Sequence, residues 1–207
     1  MLLTEEMKFR LMELANIRDD QEYWNNRYSR GESSGFGSMG RQAKHKAKVI
    51  NEFAKSKGIQ SVIEFGCGDG SQLSLYNFSN YTGFDISEEA IECCRNKGLE
   101  HDLRVYDPEC HSLDRKADLS MSVDVIYHLT TKEAFEAHMR HLFDASDKFV
   151  LIYSFDENRP RSGHIRGWKF SDWVNENQPN FALSQTIPGL ENDCDFFIYR
   201  KKTNARR

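Results

Sequence analysis

Proline is scarce in this chain, 4 among 207 residues, so an extended proline-rich arm or linker is not on offer. Cysteine occurs five times, at positions 67, 93, 94, 110 and 194, an odd number with no C-x-x-C spacing. That pattern argues against a disulfide framework or a zinc ribbon and for a reducing, cytoplasmic setting. An excess of one charge is missing too: 28 Lys and Arg stand against 32 Asp and Glu, a formal net charge of −4. Without an overall basic footprint, nucleic acid is not the expected partner. No apolar run approaches the roughly 18 residues that would span a bilayer. The first twenty residues mix acids among their apolar positions, unlike a signal peptide, and no membrane partner is expected. His138 and His141 stand three apart on an expected helix with no third ligand nearby, so they read as a solvated face, and no metal site is expected.

What is there is a globular composition, 39% hydrophobic, 12% aromatic and 29% charged, at a length that suits one domain. A Gly/Ser-rich stretch over 31–40 (GESSGFGSMG) separates an N-terminal helical segment, 1–42, from the rest, 43–207. Beyond it, strands and helices alternate. Ala43, Ala47, Ile50 and Phe53 recur at helical spacing, and Gly58 ends that helix. Strands are expected at 61–65, 81–84, 102–106, 117–123 and 148–155. Ser87 caps a helix over 88–97, and Thr130 with Glu133 reads as a capping box for another. A helix over 168–177 and two strands, 181–187 and 195–201, joined by a short turn, close the chain. Alternation implies a parallel sheet covered on both faces, and the short last turn implies an antiparallel final pair. The expected fold is therefore α/β: a Rossmann-like, doubly wound, seven-stranded sheet with a C-terminal antiparallel hairpin. Ligands of such sheets sit beyond the carboxyl ends of the strands.

The strongest chemical signal follows the first of these strands. Gly66, Gly68 and Gly70 come directly after Val62-Ile-Glu-Phe, where residues without side chains permit a sharp turn and close approach to a ligand. The third glycine comes one residue early for a dinucleotide fingerprint, and Glu64 would set negative charge beside a phosphate, which suits a cationic ligand better. At these residues the chain resembles the class I S-adenosylmethionine-dependent methyltransferases, whose first motif is an acid followed by alternating glycines. Glu64, Gly66, Gly68 and Gly70 match it in turn, and the resemblance runs over about residues 43–200.

The resemblance implies S-adenosyl-L-methionine as cofactor and assigns several residues to it. Asp85, ending the second strand, would accept the ribose hydroxyls, and Ile86 would pack on the adenine. Asp107 would face the adenine amino group, although Asp before Pro is also ordinary turn chemistry. Arg27 and Tyr28, in the N-terminal segment read as a lid, would meet the cofactor's carboxylate and methionine end.

On the acceptor side, Ser122-Val-Asp-Val-Ile-Tyr-His128 resembles a stretch of small-molecule O-methyltransferases, with Ser122 at the cofactor. No Asn-Pro-Pro-Tyr tetrapeptide is present, which argues against amino-methylation of bases or glutamine. His128 is the candidate general base, in its neutral form above an ordinary histidine pKa of about 6.5. Asp124 would orient it, touch the cofactor or share a divalent cation with Asp156. His164 is the substitute base, and Trp168 would offer a stacking face for a sugar ring, while Trp173 reads as core. The segments around 23–31, 35–40, 124–129 and 164–174 together look similar to small methyltransferases of glycan biosynthesis. The expected activity is methyl transfer to a hydroxyl of a small-molecule or glycan substrate. Transfer to oxygen or nitrogen of another small metabolite, or cofactor binding without catalysis, are the alternatives.

Overall fold

The computed structural model describes residues 20–107, 115–158, 160, 163–190 and 193–203. The first nineteen residues of the expected lid, Pro108, Cys110 and part of the last turn lie outside the described residues. Seven strands form one sheet: β1 (Val62–Phe65), β2 (Tyr81–Asp85), β3 (Asp102–Val105), β4 (Ala117–Val123), β5 (Ser146–Ser154), β6 (Phe181–Pro188) and β7 (Asp195–Lys201). Their order is β3-β2-β1-β4-β5-β7-β6. The β3-β2-β1-β4-β5 pairs are parallel, and β7 is antiparallel to both β5 and β6.

The helices are α1 (Asp20–Ser29), α2 (Gly40–Lys57), α3 (Glu88–Asn96), α4 (Lys132–Asp144) and α5 (Phe170–Asn177). Helix α2 starts at Gly40, so a boundary after residue 42 falls within its first turn. Its apolar stripe and Ile91 of α3 pack into a core on one face of the sheet, with Leu119, Leu151 and Ile198. Phe135, Met139, Leu142 and Phe143 of α4 and Phe170 and Val174 of α5 fill the other, with Phe65 and Phe84. Each helix thus buries one side at helical spacing, which is why the chain winds both ways from β1. Trp173 packs on this second core, its ring edge-on to Phe135.

Local chemistry shifts one cap. Thr131, not Thr130, caps α4, its hydroxyl accepting from Ala134 N at 3.1 Å. Thr130 instead joins α1: its amide and hydroxyl donate to Asp20 at 3.2 and 2.8 Å. The histidine pair of α4 is not a solvated face. His138 is buried and shares a 2.9 Å hydrogen bond with Ser122, and His141 is bonded to the Tyr106 hydroxyl. Periodicity carries the signal for His138, because position 138 falls on the same stripe as Phe135, Met139 and Leu142.

The winding reverses between β1 and β4, whose carboxyl ends open a crevice at the topological switch point.

Candidate active site

The turn after β1 builds the centre of the crevice. The amides of Gly66 and Cys67 both donate to the Phe84 carbonyl, at 2.6 and 3.0 Å, folding the chain back against β2. Gly66 has φ 88 and Gly68 φ 58, conformations that side-chain-bearing residues rarely adopt. Gly68 N then donates to Asp85 Oδ2 at 2.8 Å, and Ser87 N to Asp85 Oδ1 at 2.9 Å. The glycine turn and the acid of β2 are therefore one unit. Burial pushes the Asp85 carboxyl up to about 6, and the two amides pull it partly back.

Gly70 serves packing. A Cβ there would lie 2.4 Å from Leu99 Cδ1 and 2.9 Å from Cys94 Sγ, so its bareness lets helix α3 approach, and it does not line the crevice.

Above this turn lies the α1 segment. Tyr28 OH and Ser34 Oγ are 2.9 Å apart, and Ser34 Oγ donates to Asp69 Oδ1 at 3.0 Å. Gln21 Nε2 donates to the Ile86 carbonyl at 2.8 Å. Of α1 only Tyr28 is buried, so polar bonds rather than a core hold this helix down. Arg27 turns away: its Nε donates to Ser33 O at 2.7 Å and it pairs with Glu32 at 3.3 Å. It lines a smaller neighbouring cavity with Tyr23, Arg30 and His164, and not the crevice where the cofactor was expected.

The end of β4 carries the second centre. Asp124 sits at φ 61, an unusual conformation for a non-glycine residue. Three groups pin it: Lys46 Nζ pairs with Oδ2, Tyr127 OH donates to Oδ1 at 2.9 Å, and its amide donates to Tyr153 O at 3.1 Å. Lys46, on α2, is 1% exposed and was missed. The signal was present, because position 46 falls on the stripe of Ala43, Ala47 and Ile50, where a lysine must find a partner. Nearby, Tyr81 OH donates to Glu64, whose carboxyl burial pushes up to about 8. Glu64 is thus mostly protonated at neutral pH, and the negative charge expected of it is absent there.

His128 follows Tyr127 on a short 3-10 turn. Its ring lies 4.9 Å from His164, nearly parallel, and 5.0 Å from Trp24, edge-on. Burial pushes it down to about 3, with the neighbouring His164 adding to the effect, so the imidazole is neutral across the physiological range. An ordinary titration near 6.5 is therefore not expected. Tyr23 stacks on His164 at 4.0 Å and shares a 3.1 Å bond with its Nε2. Trp168 offers no open face: it stacks on Phe135 at 4.5 Å, Arg166 covers it at 4.2 Å, and Nε1 donates to Leu129 O. Asp156 is held by Lys169 at 2.8 Å and by Ser171 N at 3.0 Å, at the start of α5.

One cavity of about 840 Å³ unites these parts. Asp85, Ile86 and Asp107 line it beyond β2 and β3, Gly66 and Gly68 beyond β1, and Tyr28, Glu64, Asp124 and His128 complete its lining. Arg27, Gly70, Ser122 and His164 do not line it. Ser122 faces His138 within the sheet's cover, so its expected place at the cofactor is corrected. Among the described residues no helix is long and apolar enough to cross a membrane.

The chain is similar to known proteins in sequence and in fold. The family described as "Methyltransferase domain" matches residues 39–181. Two curated relatives are tRNA (carboxymethyluridine(34)-5-O)-methyltransferases. That of Saccharomyces cerevisiae is 24% identical over 135 residues, 61% of this chain and 48% of its own. That of Arabidopsis thaliana is 27% identical over 151 residues, 63% of this chain and 36% of its own. The chain thus spans half or less of the length of these relatives. Among solved structures, the N-methyltransferase NodS from Bradyrhizobium japonicum, in complex with S-adenosyl-L-homocysteine, superposes with a TM-score of 0.71 at 13% identity, covering 88% of this chain and 98% of that one. Magnesium protoporphyrin IX methyltransferase from Synechocystis, with the same ligand bound, gives 0.66 at 19% identity, covering 88% and 98%. With a family match over more than half of its length, the chain belongs to the methyltransferase-domain family.

Proposed function

We propose that this chain is an S-adenosyl-L-methionine-dependent methyltransferase that modifies an oxygen of a hydroxyl-rich small molecule, a sugar or glycan hydroxyl. The residues fit the cofactor by kind. Asp85 supplies a carboxylate for a diol, Ile86 and Val105 an apolar wall for a purine, and Gly66 and Gly68 a turn without side chains. When bound, the cofactor supplies an electrophilic methyl group on a sulfonium.

The observation that carries the oxygen acceptor is His128, a neutral imidazole on the cavity wall. A hydroxyl is a poor nucleophile until its proton is leaving, and His128 can hold that hydroxyl and take the proton as the new C–O bond forms. Burial makes His128 a weak base. The reaction offsets this, because the positive charge lost by the sulfonium reappears on the imidazole, and the site's net charge is unchanged. Trp24, edge-on to His128, adds an aromatic wall for a sugar ring.

A second reading comes from the curated relatives, whose names also specify an oxygen acceptor, on a modified uridine of tRNA. Methyl-labelled cofactor decides between them. It is incubated with a panel of mono- and oligosaccharides and, separately, with tRNA carrying carboxymethyluridine. Label in an O-methyl sugar supports the first reading. Label only in tRNA replaces it with the second, and label only on an amine overturns both.

A further inference from the structure

Lys46 is a fully buried cation that pairs with Asp124, and both line the cavity. An ion pair with one partner this deeply buried is a poor device for stability, because desolvation offsets most of the attraction. Asp124 is also held at φ 61, and strain of this kind persists where the surroundings over-determine it for a use. We infer that Lys46 and Asp124 form a clamp for the zwitterionic amino-acid end of the cofactor, Lys46 taking the carboxylate and Asp124 the ammonium. The inference rests on the cofactor reading above and gives that end of the ligand the partners that Arg27 does not supply.

Position and charge support it. β2 and β4 flank β1, so Asp85 and Asp124 stand two strand spacings apart, about 10 Å. The glycine turn between them is the floor along which an adenosyl thioether would lie. A zwitterion needs one buried charge of each sign, and the site holds both, paired with each other. The other ionisable groups around the pair are neutral or spoken for. Tyr127 donates to Asp124, Tyr153 lies with its ring 5.3 Å from Lys46 Nζ, and Glu64 is protonated and bonded to Tyr81.

The lid is coupled to the same pair. A Cβ at Gly37 would lie 2.8 Å from Asp124 Oδ2 and 3.7 Å from Lys46 Nζ, so the 31–40 loop rests directly on the clamp. Ser38 of that loop also lines the cavity. Exchange of the internal pair for a ligand's charges therefore takes place beneath the loop.

The test is calorimetric and needs no acceptor. Wild type is titrated with S-adenosylhomocysteine and with 5′-methylthioadenosine, which keeps the nucleoside but lacks the amino acid. Lys46→Met should weaken homocysteine-product binding by about 10- to 100-fold and leave methylthioadenosine affinity unchanged. Since that variant strands a buried carboxylate, Lys46→Met/Asp124→Asn is measured beside it. The double variant removes both charges and should show the same selective loss. Equal affinity of wild type and double variant for S-adenosylhomocysteine overturns the clamp. If wild type binds neither ligand, it is the cofactor reading that fails.

Discussion

The two halves of the crevice are built by different means. On the β2 side, the partners of Asp85 are backbone amides of Gly68 and Ser87, 17 and 2 residues away. On the β4 side, side chains meet across long stretches of chain: Lys46 with Asp124 over 78 residues, Asp20 with Thr130 over 110, Tyr23 with His164 over 141. A half made of backbone turns depends on which residues lack side chains. A half made of side chains depends on which charges and rings find one another after folding. Substitutions should separate the two: on the first side they act through conformation and the grip on the nucleoside, on the second through the grip on the amino-acid end and through turnover.

The largest effect is expected at His128. His128→Ala should lower turnover by roughly 100- to 10,000-fold, the range of a lost general base. S-adenosylhomocysteine affinity should stay at the wild-type value, since the imidazole is assigned to the acceptor and not to the cofactor. The wild-type rate should also show no histidine limb between pH 5.5 and 8, because burial holds His128 neutral down to about pH 3. A rate that rises through pH 6.5 and loses that rise in His128→Ala would mean that the imidazole is solvated in the working enzyme.

Gly66→Ala tests the backbone half. Its Cβ would lie 2.2 Å from Val125 Cγ2, in a backbone at φ 88. Left-handed strain and overpacking together should cost about 2–4 kcal/mol, read as a lowered melting temperature. Adding Val125→Ala relieves the overlap and leaves the backbone term. A double variant no more stable than Gly66→Ala would place the whole effect in the backbone.

That difference in construction explains how much was legible beforehand. Gly66, Gly68 and Asp85 could be read because a strand followed by bare residues, and a strand ended by an acid, are local patterns. The seven strands, the winding and the final hairpin could be read for the same reason. Lys46 could not be matched to Asp124, because nothing local says which of many acids a lysine on an apolar stripe will meet. Arg27 was assigned by its place in a lid segment, and Glu32 claims it instead. Ser122 fitted a linear motif, but strand alternation turns it toward His138. Trp168 carried the chemistry of a stacking platform, and its faces are covered by Phe135 and Arg166.

Asp85→Asn should act on cofactor affinity, by about ten-fold to a hundred-fold for S-adenosylhomocysteine, through loss of a charged acceptor for the diol. The wild-type carboxyl titrates at about 6, so its affinity should fall as pH drops from 7 to 5 while the variant's stays level. Parallel curves for both proteins would show that the ribose is held by something else.

The smallest effect is a matter of stability at Glu64, where the two halves meet beneath the turn. Its carboxyl titrates at about 8 in the fold against an ordinary 4.5. The folded chain therefore binds a proton in this window that the unfolded chain has released. Stability from this group is fully present below pH 4.5 and is lost as pH rises through 8. Asp85 acts with the same sign between about 3.8 and 6, so the wild-type curve alone does not isolate Glu64. Glu64→Gln does, because an amide oxygen still accepts from Tyr81 and carries no proton to lose. Melting temperatures of the two proteins should run close together at pH 5, diverge steadily as pH rises to about 8 and hold that gap above it, with the variant the more stable at pH 9. A difference that stays constant from pH 5 to 9 would mean that Glu64 is ionised throughout, held as an anion by Lys46, and that the two charged centres are one.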